Sequence, residues 1–304
     1  MSLISKIEQL PAEDYYTAGR RTCAGCGPAL SYRMIGLAAG PNTVLLGPTG
    51  CMYVANGHQA LTTPYAVPWY HTQLGGGGGA AMGTAAAFAA LMRKGKRKKE
   101  EVNVIVMGGD GGTADIGFAG LSGAMKSGLD FLYILYSNES YANTGIQAST
   151  VTPWGAWTTF TPSGKIRRFG NIREPKDVPR IVATHEVPYV ATATVGYPTL
   201  DLVNKVRKGL LVKGPAFLMV LCPCPKGWIF DPKDTVKMAR LAVETGIWMS
   251  YEVEHGEFKL TYKPAVRRPV ADYIKAQGRF KHLTDADIKT IQEKVDAAWS
   301  KMPG

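Results

Sequence analysis

Five cysteines fall in three short stretches. Cys23 and Cys26 lie in Thr22-Cys23-Ala24-Gly25-Cys26-Gly27-Pro28, Cys51 closes Gly47-Pro48-Thr49-Gly50-Cys51, and the last pair opens Cys222-Pro223-Cys224-Pro225-Lys226-Gly227-Trp228. Cys23, Cys26, Cys51 and either Cys222 or Cys224 supply four thiolates, the ligand set of a zinc ion or a [4Fe-4S] cluster, and sequence spacing does not choose between the two. Small residues beside each cysteine let backbone amides approach whatever the sulfurs bind. A C-x-x-C pair alone also reads as a redox dithiol or half a zinc site. An odd number of cysteines at motif-like spacing fits a reducing compartment and ligand duty better than a disulfide framework.

A second constellation surrounds Asp110 in Gly108-Gly109-Asp110-Gly111-Gly112. Gly109-x-Gly111-x-x-Ala114 satisfies a loose dinucleotide fingerprint, in which glycines let the backbone approach a pyrophosphate at a helix N-terminus. A bare carboxylate in that cradle would repel phosphate unless a cation sits between them. Asn138 follows the next apolar run, so in a parallel sheet it stands on the same carboxyl edge as Asp110. An Asp and an Asn oxygen suit Mg²⁺ holding a diphosphate. Taken singly, Asp110 reads as a helix cap and Asn138 as a turn residue.

The elements that must position these groups follow from periodicity. Val102 to Met107 is a β-branched strand run, and after the glycine turn Ile116, Phe118, Ala119, Leu121, Ala124 and Met125 recur at helical spacing toward Gly128, a C-cap candidate. Phe131 to Tyr136 is the next strand, which makes a β-α-β unit with parallel strands. Upstream, a helix from Ala29 to Ala39 and a strand from Thr43 to Leu46 separate the first two cysteine turns. Gly75 to Gly79 feeds an Ala-rich helix, Ala80 to Met92, and reads as a place for close helix packing with local mobility. His71 has no metal-ligand partner in spacing and is expected to hydrogen-bond, while Pro153 to Thr159 reads as an ordered aromatic loop. Downstream come strands at Val187 to Thr194 and Ala216 to Leu221 around a helix from Thr199 to Val212. The fold class is α/β, a parallel sheet with helices on both faces.

Gly109-Asp110-Gly111, then 26 residues, then Asn138 resembles the diphosphate motif of thiamine diphosphate enzymes. Gly109-Asp110-Gly111-Gly112-Thr113-Ala114-Asp115-Ile116-Gly117 and Tyr141-Ala142-Asn143-Thr144-Gly145-Ile146-Gln147 resemble the β subunit of the 2-oxoacid:ferredoxin oxidoreductases, the pyruvate synthase group, over about Tyr15 to Asp231. The resemblance implies a thiamine diphosphate-binding fold with Gly109, Gly112 and their neighbours at the cofactor. It implies Mg²⁺ on Asp110, the Asn138 side chain and the Ser140 carbonyl, with Asn143 (the catalytic candidate) and Thr144 on the cofactor and substrate side. It favours a [4Fe-4S] cluster, beside the cofactor at Cys51, over zinc. It also implies α-type and γ/δ-type partner subunits, one of which supplies the cofactor's activating Glu, and ferredoxin as electron acceptor; the chain alone is expected to be inactive. The C-P-x-G-W pattern begins at Cys224, so Cys224 is taken as the fourth ligand and Cys222 as a buried or neighbouring thiol. The expected reaction is oxidative decarboxylation of a small 2-oxo acid or of oxalate. Pyruvate enzymes often carry a Glu-Asn-Ala-type stretch where this chain has Gly75 to Gly79, and Arg at Ala148, which brings oxalate in beside pyruvate.

The 304 residues suffice for one large domain, set at 1–231, with a C-terminal extension at 232–304 that holds a helix from Thr235 to Thr245, a hairpin around His255-Gly256 and a helix from Asp285 to Trp299. That extension is expected to wrap a partner or the main body. A net charge of +11 points to acidic partners. No nucleic-acid motif accompanies it, and the cluster from Arg93 to Lys99 reads as a solvated loop. With no apolar run of membrane length or signal-like N-terminus, a cytoplasmic protein without membrane contact is expected. A different class of reading is a non-catalytic electron-transfer subunit or a zinc-stabilised nucleotide-binding subunit.

Overall fold

The computed structural model describes residues 2–57, 63–98, 100–165 and 168–302; Lys99 of the basic cluster lies outside them. In chain order the elements are α1 (Gly27–Ala39), β1 (Thr43–Pro48), α2 (Cys51–Asn56), β2 (Trp69–Thr72), α3 (Gly77–Arg93), β3 (Asn103–Gly108), α4 (Phe118–Met125), β4 (Phe131–Ser137) and α5 (Val178–Ala183). Then follow β5 (Tyr189–Thr194), α6 (Asp201–Leu211), β6 (Pro215–Leu221), α7 (Pro225–Trp228), α8 (Thr235–Glu244), β7 (Ser250–Glu254), β8 (Glu257–Tyr262), α9 (Val270–Ile274) and α10 (Asp285–Ser300).

All eight strands form one sheet in the order β2-β1-β3-β4-β6-β5-β7-β8. Pairings from β2 to β5 are parallel, and β7 and β8 add antiparallel. Successive residues of the central strands point to opposite faces, so both faces must be covered. Ile105, Met107, Leu132 and Ile134 pack beneath residues of α1 and α6. Val104, Val106, Tyr133 and Leu135 pack beneath α3, α4 and α5. Each such side chain, fully buried, contributes roughly 1.5–3 kcal/mol, against 0–1 kcal/mol for an exposed ion pair, so the two apolar layers hold the sheet.

β2 continues the sheet to one side of β1 and β3 to the other, so the strand order reverses between β1 and β3. The carboxyl ends at that switch point are the place where open α/β sheets bind ligands. There stand Thr49 to Cys51 after β1 and Gly109 to Gly112 after β3.

Local differences from the sequence reading have physical causes. The helix after the glycine turn begins as one π-helical turn, Gly111–Asp115, and α4 ends at Met125; Lys126 caps it, and Gly128 bends the next turn with φ +68°. The glycine run opens α3 and packs closely, since a Cβ on Gly78 would lie 2.2 Å from the Gly120 carbonyl oxygen. β7 and β8, joined through His255 and Gly256 with positive φ at both, extend the main sheet, so a boundary at residue 231 does not divide two sheets. Helices α8 to α10 gather a third core around Trp228, Met238, Tyr273 and Phe280.

Candidate functional site

The register of β3 against β4 pairs Gly108 with Leu135, which brings the turn after each strand to one edge. Asp110 is 2% exposed, and its Oδ2 accepts the Ser140 N–H at 2.6 Å. The Asn138 carboxamide oxygen lies 2.7 Å from the Ser140 carbonyl oxygen and 3.0 Å from Asp110 Oδ2. Three oxygens therefore converge. Octahedral Mg²⁺ with ligands at about 2.0–2.1 Å sets neighbouring oxygens roughly 2.9 Å apart. Turning the Asn138 amide would satisfy these atoms by hydrogen bonds, and a cation among the three oxygens would satisfy them without turning it. Tyr136 Oη and Ser140 Oγ are buried without partners around the same turn. Burial pushes the Asp110 carboxyl well above the usual range, against the Ser137 hydroxyl and then the Ser140 N–H, and a cation would act in the same direction as these donors. The residues fit a divalent cation.

One cleft is lined by Gly109, Asp110, Gly111, Gly112, Asn138, Ser140, Asn143, Thr144 and Cys51 together. Asn143 and Thr144 stand at its exposed mouth, where Thr144 Oγ1 donates to Gln147 Oε1 at 2.5 Å. Sequence reasoning missed Thr49, Leu74, Tyr136 and Tyr141, which share the lining. Tyr141 had a signal in Gly111: a Cβ there would fall 1.9 Å from the Tyr141 ring, so the glycine is required by that contact. Neither Ala148 nor the run from Gly75 to Gly79 lines the cleft, so the two departures that raised oxalate lie away from the lining. His71 hydrogen-bonds Thr49 Oγ1 through Nε2 at 2.9 Å, in keeping with its expected role.

The cysteine turns meet beside this cleft. Cys26 precedes α1, Cys51 opens α2 and Cys224 precedes α7, where Gly227 N–H points at Cys224 Sγ at 3.3 Å. Gly27 N–H donates to the Pro223 carbonyl at 3.1 Å, which ties the first turn to the third. Burial pushes the Cys26 and Cys51 thiols up to about 12 each, charge on Cys224 and Cys23 adds to both, and Cys26 adds to Cys51. Cys224 is raised by burial and then by Cys23, despite its backbone donors. Cys222 is fully buried, raised by burial with Ser31 opposing, and among the thiols only Cys26 acts on it. The four expected thiols are thus within electrostatic reach of one another. Among the described residues no three His, Cys, Asp or Glu close tightly enough to hold a single ion.

The family described as thiamine pyrophosphate enzyme, C-terminal TPP binding domain, matches residues 48–220. The pyruvate synthase subunit PorB of Methanocaldococcus jannaschii is 50% identical over 297 residues, covering 95% of this chain and 97% of that one. The chain belongs to the 2-oxoacid:ferredoxin oxidoreductase β-subunit family. Its relatives include the ketoisovalerate oxidoreductase subunit VorB of Pyrococcus furiosus, 39% identical with 98% and 96% of the two chains covered. The fold is shared with a solved 2-oxoglutarate:ferredoxin oxidoreductase from Magnetococcus marinus, at TM-score 0.57, 19% identity and coverage of 97% and 98%. As a member of this family the chain is one subunit of a multi-subunit, thiamine diphosphate-dependent oxidoreductase. Among the described residues no helix is long and apolar enough to cross a membrane.

Proposed function

We propose that this β subunit holds thiamine diphosphate through Mg²⁺ on Asp110, Asn138 and the Ser140 carbonyl, and carries a [4Fe-4S] cluster on Cys23, Cys26, Cys51 and Cys224. The observation that carries the first half is the convergence of three oxygens at one buried turn. The second half is supported by four thiols from three turns, two of them offered backbone amides, with Cys51 on the wall of the cofactor cleft. When bound, thiamine diphosphate supplies the carbanion-stabilising chemistry on which decarboxylation of a 2-oxo acid depends. The protein's share is positional. Gly111 and Gly112 let the turn approach the diphosphate, Asp110 and Asn138 anchor its cation, and Asn143 and Thr144 face substrate at the mouth. Cluster assembly displaces the thiol protons that burial retains.

The substrate is pyruvate, and ferredoxin takes the electrons. Relatives named pyruvate synthase, at 44% to 50% identity, support pyruvate, whereas the relatives compared lend oxalate no support. α-type and γ/δ-type subunits complete the complex, the former supplying the activating Glu, and the thiol chemistry suits the reducing cytoplasm. Iron, acid-labile sulfide and thiamine assays on the purified complex test the cofactors. Viologen reduction on pyruvate plus coenzyme A, compared with ketoisovalerate and oxalate, tests the substrate; a preference for either of the latter overturns the assignment.

A further inference from the structure

Glu139 stands between the two residues whose oxygens converge with Asp110, and its backbone is left-handed, at φ +63°. A non-glycine residue there costs on the order of 1 kcal/mol or more and holds only where its surroundings impose it. The surroundings come from far along the chain. Arg279 Nη2 lies 2.6 Å from Glu139 Oε2, with both side chains largely buried. Arg279 is itself fixed: its guanidinium stacks 4.0 Å over the Trp228 ring, its Nε donates to Gln277 Oε1 at 2.8 Å, and its carbonyl accepts the Trp157 N–H at 2.9 Å. Trp228 Nε1 donates to the Asn138 carbonyl at 2.9 Å, and Thr152 Oγ1 donates to the Glu139 carbonyl at 2.7 Å. Arg279, Trp228 and Thr152 thus all hold Asn138 and Glu139.

We propose that Arg279 is a positioning residue for the cofactor's cation: its buried pair with Glu139 imposes the turn that aims the Asn138 carboxamide and the Ser140 carbonyl at the point Asp110 faces. Stability is a poor account of the pair, because a buried ion pair barely offsets its own desolvation. Setting a turn is a better one. The inference rests on the magnesium reading of that turn, and the test separates the two. The assembled complex, stripped with a chelator, is titrated with thiamine diphosphate at fixed Mg²⁺ and followed by tryptophan fluorescence, with iron content and melting as controls. Arg279→Met should raise the half-saturating cofactor concentration about 10- to 100-fold, the usual effect of losing a residue that orients metal ligands, with iron content unchanged. Arg279→Lys should recover part of it, since charge survives while the planar stack on Trp228 is lost. A folded Arg279→Met complex that saturates within about twofold of the wild type overturns the proposal. Should that variant fail to assemble, Glu139→Gln, which keeps the shape and removes the charge, carries the same criterion. A wild type whose binding ignores Mg²⁺ sinks the magnesium reading and this inference with it.

Discussion

Asp110, Asn138 and Ser140 come from a single β-α-β unit, whereas Cys23, Cys26, Cys51 and Cys224 come from three turns that only the folded sheet brings together. In the first set, two adjacent strands in fixed register place all three residues, and they are buried with their oxygens converging. In the second, Cys23 is exposed, and the thiols remain further apart than a single ion would hold them. The carboxylate set is therefore placed by local register, and the thiol set by the packing of three separate turns. That difference assigns separate losses to separate residues.

The sharpest separation is expected at Asp110. Asp110→Ala should abolish Mg²⁺-dependent thiamine diphosphate binding while the iron content of the complex stays at the wild-type level, because Asp110 is not one of the four thiols proposed to hold the cluster. Thiamine diphosphate affinity that survives the substitution would reduce Asp110 to the first residue of a helix turn. The reciprocal experiment is at the third cysteine turn. Cys224→Ala should lose most of its cluster iron and keep cofactor affinity, and Cys222→Ala, whose thiol is coupled to Cys26 alone among the cysteines, should keep both. If the Cys222 variant loses iron and the Cys224 variant retains it, the fourth ligand has been misassigned.

The same contrast explains what the sequence disclosed. A β-branched run followed by glycines and an Asp is a local pattern, so the strand, the turn and the partner Asn138 were legible together. The cysteine spacings offered candidate donors and left two metals open, because bringing the thiols together depends on α1, β1 and β6 jointly. Short elements escaped: β2 has four residues and α2 six, too few for a period to show. β7 and β8 were readable as a hairpin, yet nothing local says that a hairpin will join a parallel sheet through β5. The Glu139–Arg279 pair left no trace at all, since neither residue carries a pattern that points at the other.

The smallest expected effect comes from α10, which touches neither ligand set. Thr284 caps this helix, Asp287 accepts the Thr284 N–H at 2.8 Å in return, and the Arg168 guanidinium holds the same carboxylate at 2.5 and 3.0 Å. The Arg168 hydrogen bonds foremost, then the Thr284 donors, hold the Asp287 carboxyl well below the usual carboxylate range. A carboxyl that binds its proton less tightly folded than unfolded stabilises fully above its unfolded value, near about 4, and loses that contribution as pH falls toward the lower folded value. Asp287→Asn keeps an acceptor for Thr284 and removes the charge, so it should cost about 1 kcal/mol at neutral pH. Paired melting curves across a pH series should show the two proteins converging below about pH 4. Iron content and Mg²⁺-dependent cofactor binding should remain those of the wild type, because within the C-terminal region it is Arg279, rather than α10, that pairs with Glu139 in the turn proposed to hold the cation. A loss of cofactor affinity in Asp287→Asn would mean that the whole C-terminal core, and not one guanidinium, shapes that turn.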